Sequence, residues 1–183
     1  MLSILGGKWK SRLLKTPNLI RPTASIVRKA VFDICREEVE GAHFLDLYAG
    51  SGAMGIEALS RGAKEATFVE KAQSAIACIR HNLKELTIPP EQTTLFPFDA
   101  EKAVRILSKK GALFDFIYVD PPYALETSRI LKNLLESCLL SINGKLLLEQ
   151  RRSSTLDPDL LNKLSLLSER RFGDTALLIF RGL

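Results

Sequence analysis

Between residues 43 and 150 the sequence alternates between two hydrophobic periodicities. Short runs rich in β-branched and aromatic residues occupy His43–Tyr48, Ala66–Glu70, Thr93–Phe98, Phe114–Asp120 and Gly144–Gln150. Between them lie segments with apolar residues at helical spacing: Ala53–Arg61, Ala72–Leu86, Ala100–Lys109 and Leu125–Leu140. A repeated strand–helix–strand pattern buries both kinds of element as a parallel sheet with helices on both faces. After Pro158 the pattern predicts a short helix, then strands over Lys163–Arg171 and Thr175–Phe180 around Gly173-Asp174. That closing hairpin adds antiparallel strands, so the fold expected is α/β with a mostly parallel seven-stranded sheet.

Ahead of the sheet, Leu2–Leu5 and Arg12–Lys15 predict a small hairpin through Gly6-Gly7. Thr23 predicts the N-cap of a helix over Ala24–Glu38. Val27, Ala30, Val31, Ile34 and Cys35 form its apolar face, with Arg28, Lys29 and Arg36 on other faces. The 183 residues suit one domain, residues 1–183, in which residues 1–20 form a basic N-terminal hairpin extension.

Charge is distributed unevenly. The chain carries +5 overall, but residues 1–36 hold eight cations against Asp33 alone, a local +7, leaving −2 for the rest. A patch of this kind, with Trp9 and glycines among the cations, is the footprint expected of a phosphate-backbone contact. Lys8, Trp9, Lys10, Arg12, Arg21, Thr23 and Arg28 are the candidate RNA-contacting residues. Cys35, Cys78 and Cys138 are far apart and lie in helical apolar patterns, which predicts buried free thiols. With His43 and His81 as the only histidines, no metal-ligand spacing exists. The sequence has no apolar run of about 20 residues and no signal-peptide pattern, so the expectation is a cytoplasmic protein without a membrane span.

In a parallel sheet of this kind, ligands bind beyond the carboxyl ends of the strands, near the point where strand order reverses. Four strand ends carry acidic residues: Asp46 before the loop Tyr48-Ala49-Gly50-Ser51-Gly52, then Glu70, Asp99 and Asp120. Gly50-x-Gly52-x-x-Gly55 matches a dinucleotide fingerprint, with Glu70 where a ribose carboxylate belongs. Asp46 argues against a pyrophosphate and for a cationic ligand. S-adenosylmethionine, with a sulfonium and an ammonium group, fits: Glu70 with Lys71 beside it would take the ribose, and Asp99 with Ala100 the adenine. Asp46 could instead cap its own loop, and Glu70 and Asp99 could be helix N-caps.

The fourth strand ends in Asp120-Pro121-Pro122-Tyr123. Neither proline can donate a hydrogen bond, so Asp120 and the Pro121 carbonyl present acceptors beside an aromatic ring. That arrangement suits a planar molecule with an exocyclic amine, although a plain strand-to-helix turn would have the same prolines.

Together, Leu45–Gly52 and Asp120–Tyr123 resemble the motifs of class I S-adenosylmethionine-dependent amino-methyltransferases. Gly7-Lys8-Trp9-Lys10, Arg21-Pro22-Thr23, Ile56–Ala63 and Arg171–Thr175 narrow the resemblance to the RsmD family. It implies a Rossmann-like methyltransferase fold and methylation of guanine N2 in 16S ribosomal RNA of the assembled or assembling small subunit, by a monomer. Asp120, Pro121, Pro122 and Tyr123 would be the catalytic residues. The chain departs from the family at Ser25 and Lys29, where acidic residues are usual. Two other activities share parts of the pattern. A DNA amino-methyltransferase fits the tetrapeptide but usually needs a target-recognition domain. A NAD-dependent oxidoreductase fits the glycines but needs a second nucleotide-binding half or a substrate domain.

Overall fold

Leu2–Ser3 (β1) and Leu13–Leu14 (β2) pair antiparallel, with Leu2 opposite Leu14. The computed structural model describes residues 2–17, 25–122 and 124–181. The helix Ser25–Cys35 (α1) follows, then a 3-10 turn over Arg36–Val39. The alternating region gives His43–Leu47 (β3), Ala53–Ser60 (α2), Glu65–Val69 (β4), Gln73–Glu85 (α3) and Thr93–Phe96 (β5). Ala100–Lys109 (α4), Phe114–Val119 (β6), Ala124–Ser137 (α5) and Leu140–Arg151 (β7) continue it. Pro158–Lys163 (α6), Ser165–Phe172 (β8) and Thr175–Arg181 (β9) close the chain.

The large sheet has the order β5-β4-β3-β6-β7-β9-β8. The first five are parallel, and β9 runs antiparallel to both its neighbours. From β3 the chain winds outward to β5, then returns to place β6 on the other side of β3. The order therefore reverses between β3 and β6, whose register pairs Leu47 with Val119.

Alternation along the strands sends side chains to two cores. Phe44, Phe68, Phe116, Tyr118, Leu147 and Leu177 face α1, α2 and the small hairpin, where Phe32 and Phe44 stack at 6.1 Å. Leu45, Leu47, Val69, Ile117, Val119 and Leu148 face α4, α5 and α6. Among the described residues no helix is long and apolar enough to cross a membrane.

Four expectations need correction. Arg28 lies on the buried side of α1, 1% exposed, not on a solvent face. The α-helix stops at Cys35, because Arg36 adopts φ +42°. Cys138 is exposed and sits at φ +51°, which ends α5 and lets Leu140 start β7 where leucine spacing predicted more helix. The hairpin strands are two residues each, shorter than the apolar runs that marked them. Arg21, Thr23 and Tyr123 lie outside the described residues.

Candidate active site

The loop after β3 is shaped from below by Asp46. Its side chain is 1% exposed, and Oδ2 accepts the Gly55 N–H at 3.0 Å. Tyr48, Gly50 and Gly52 all take positive φ (64°, 56° and 79°), so the chain turns back sharply onto the start of α2. For Tyr48, which has a Cβ, this conformation carries strain of the kind found at functional sites. A Cβ at Gly55 would lie 2.4 Å from the Phe68 ring. The third glycine of the fingerprint therefore serves helix-on-sheet packing.

Glu70 follows β4 and accepts three backbone N–H groups, from Gly50 at 2.9 Å and from Lys71 and Ala72 at 2.8 Å. It braces the approach to α3 and clamps the glycine loop at once. Asp99 caps α4, with Oδ1 accepting the Lys102 N–H at 2.9 Å. The N-cap reading holds for Asp99 but not for Glu70: the N-cap of α3 is Ala72, without a side-chain bond, and Glu70 lies two residues before it. Both acids line an open cavity of about 700 Å³.

Tyr48, Gly50, Lys71, Ala100, Asp120 and Pro122 line the same cavity. Asp46, Ala49, Ser51 and Gly52 are buried and are not among its lining residues; they support the loop from behind. Pro121 is half-buried beside it. Phe98, Glu101 and Arg129 also line the cavity and were not foreseen. Phe98 stands directly before Asp99 and was readable from that adjacency. Arg129, on α5, gives no signal in the sequence.

Electrostatically the site is an acidic cleft. Burial pushes the Asp120 carboxyl up to about 8, with Glu149 and then Asp46 adding repulsion. Burial likewise pushes Asp46 up to about 7, against the Gly55 hydrogen bond and with help from Glu70. Glu149 is itself buried at the end of β7 and accepts a short hydrogen bond from the Tyr118 hydroxyl. A cation in the cleft would offset this repulsion and favour both aspartates in their ionised form. Among the described residues no group of side chains could hold a metal ion.

The N-terminal hairpin packs along α2. Leu5 N–H donates to Glu57 at 2.7 Å, Trp9 N–H to the Ser60 hydroxyl at 3.0 Å, and Lys8 N–H to the Ser60 carbonyl at 2.7 Å. Gly7 is required here, because a Cβ would fall 1.7 Å from the Ser60 carbonyl oxygen. Lys8, Lys10 and Arg12 are exposed, while Trp9 is half-buried against the core. Ser60 ends α2, an eight-residue helix about 12 Å long that starts at the cavity. The structure thus sets Lys8 and Trp9 at the end of α2 away from the strand-end acids. Arg28 is brought near Glu57 and Tyr118, and burial lowers its pKa. Its Nε and Nη1 have no hydrogen-bond partner among the described residues.

A family model described as conserved hypothetical protein 95 matches residues 2–181. The ribosomal RNA small subunit methyltransferase D of Escherichia coli (strain K12) is 34% identical over 74% of this chain and 67% of its own. This chain belongs to the RsmD family. YlbH of Bacillus subtilis (strain 168), named as a candidate rRNA methyltransferase, is 31% identical to this RsmD-family chain over 98% of each. The solved structure of a hypothetical protein of Thermus thermophilus, TTHA0928, superposes with a TM-score of 0.86 and 30% identity, covering 99% of both chains.

Proposed function

We propose that this protein transfers a methyl group from S-adenosylmethionine to the exocyclic N2 amine of a guanine in 16S ribosomal RNA, acting as a monomer in the cytoplasm on the small subunit. The observation that carries this reading is the acidic cavity at the strand-order reversal, with Asp120 at its rim. The RsmD-family membership and the rRNA-methyltransferase names of its relatives support it.

The residues fit the cofactor. Glu70 repels buried Asp46, Glu149 and Asp46 repel Asp120, and a sulfonium with an ammonium group offsets that repulsion. When bound, S-adenosylmethionine would supply an electrophilic methyl group. Glu70, fixed by three backbone donors, would take the ribose hydroxyls, and Asp99 beside Phe98 the adenine.

The guanine amine is a weak nucleophile because its lone pair is delocalised into the ring. Asp120 and the Pro121 carbonyl would accept its two hydrogens and turn the nitrogen lone pair outward. Placement of this sort can contribute several kcal/mol. Asp120, ionised beside the cationic donor, can receive the proton that leaves the methylated amine. A paired base cannot reach the rim, so the guanine has to be unpaired or flipped out. Tyr123 is assigned by its sequence position to stack on the base.

The test uses labelled S-adenosylmethionine and small subunits from cells lacking the gene. N2-methylguanine in 16S RNA is the expected product; label on another base or on DNA alone overturns the assignment. Asp120→Ala should reduce turnover at least ~100-fold with the cofactor still bound, since roughly 3 kcal/mol of charge-assisted contact is lost.

A further inference from the structure

The register of the outer strands brings together residues far apart in sequence. Val119 pairs with Leu148, which sets Asp120 beside Glu149. Glu149 pairs with Leu177, and Leu177 with Arg170. Arg151 pairs with Thr175, two positions beyond Glu149. Laterally paired residues share a face of the sheet, and residues two apart on one strand do too. Asp120, Glu149, Arg151 and Arg170 therefore lie on one face, at one edge, within about three strand spacings of ~4.8 Å.

Arg151 and Arg170 are exposed, and neither makes an ion pair or side-chain hydrogen bond among the described residues. Arg171 differs: it lies on the opposite face, tied to Glu169 at 2.6 Å. Arg151 and Arg152 also line an open recess of about 660 Å³ with Ser153, Asp174 and Thr175. The recess is held in shape by the Arg152 N–H, which donates to the Asp174 carbonyl at 2.7 Å. The acids outnumber Lys71 and Arg129 in the cavity lining, so an RNA strand that delivers a base there is favoured by further cations beside it. The hairpin tip with Lys8 and Lys10 is at the far end of α2 and does not supply them.

We infer that Arg151 and Arg170, with Arg152, form the site that holds backbone phosphates of the RNA next to the target base. This rests on the rRNA-methylation reading above. The guanidinium group is suited to the role, because its planar fork meets phosphate oxygens bidentately. The phosphates would anchor the strand along the edge formed by the end of β7 and the start of β9, and the target base would turn toward Asp120.

The test compares Arg151→Ala/Arg170→Ala with Lys8→Ala/Lys10→Ala, binding small subunits across a salt series. Unchanged melting temperature and S-adenosylmethionine affinity confirm that each variant is folded. The arginine variant should lower the slope of log affinity against log salt by about 1–2, because up to two phosphate contacts are lost. It should also raise KM for subunits at least as much as the lysine variant does. An unchanged slope, or a larger effect at the lysines, overturns the inference. A photo-crosslinking residue in place of Arg170 should label 16S RNA; labelling of a ribosomal protein instead also overturns it. If the wild type binds subunits but transfers no methyl group, the catalytic reading fails while the binding measurement still decides this site.

Discussion

Asn82 donates a hydrogen bond to the carbonyl oxygen of Ser51 at 2.9 Å, deep under the glycine loop. The same amide group donates to the Lys15 carbonyl at 3.0 Å, and its Oδ1 accepts the Lys15 N–H at 2.8 Å. One buried side chain on α3 thus joins the glycine loop to the N-terminal hairpin. Asn82→Ala leaves three backbone groups without a partner and should cost about 1–3 kcal/mol. Urea denaturation measures the loss, and calorimetric titration should show weaker S-adenosylmethionine binding. Equal stability and affinity would show that water replaces the amide without cost.

Gly55 presses against the Phe68 ring, and the space for a methyl group is missing. Gly55→Ala should destabilise the protein by about 1–3 kcal/mol through overpacking. In a Phe68→Leu background the same substitution should cost less, giving an interaction energy above about 0.5 kcal/mol. Strictly additive costs in that double-mutant cycle would mean the ring is not the obstacle.

The cleft should make stability and ligand affinity respond to pH in opposite senses. Asp46 and Asp120 titrate at about 7 and about 8 when folded, against an ordinary 3.8. Between pH 4 and 8 the folded chain therefore binds more protons than the unfolded one. Their contribution makes stability fall as pH rises through that window. A cationic donor prefers the ionised carboxylates, so its affinity should rise over the same range. Denaturation midpoints without ligand and titrations with S-adenosylmethionine, both at pH 5.5 and 8.5, check the two signs. Affinity that is flat or falling with pH contradicts the cationic-ligand assignment.

Much of this was legible in the sequence because it depends on local signals. The period of apolar residues gave the order of strands and helices, and the acids at strand ends gave one wall of the cavity. Asp99 shows why two readings of one residue need not compete. A carboxylate at the start of a helix can cap a backbone N–H group and still face the cleft. What stayed hidden is set by tertiary neighbours. Arg28 reads as a surface cation, yet α1 turns it toward Glu57 and Tyr118. The basic hairpin reads as a contact for RNA phosphates, with no sign in the sequence that Gly7 locks its tip onto Ser60. Arg151 and Arg170 are nineteen positions apart, and only strand register makes them neighbours of Asp120.

Asp46 grips Gly55 from beneath the glycine loop, so the turn that would receive the methyl donor in the proposed reaction is held in shape by the chain's own hydrogen bond. A preformed cradle tells two molecules of nearly equal outline apart poorly. Donor and spent by-product differ chiefly in that the sulfur loses its positive charge. In the proposed reaction, exchange of one for the other is then governed by the negative potential of the cleft, which loosens its hold once transfer is complete.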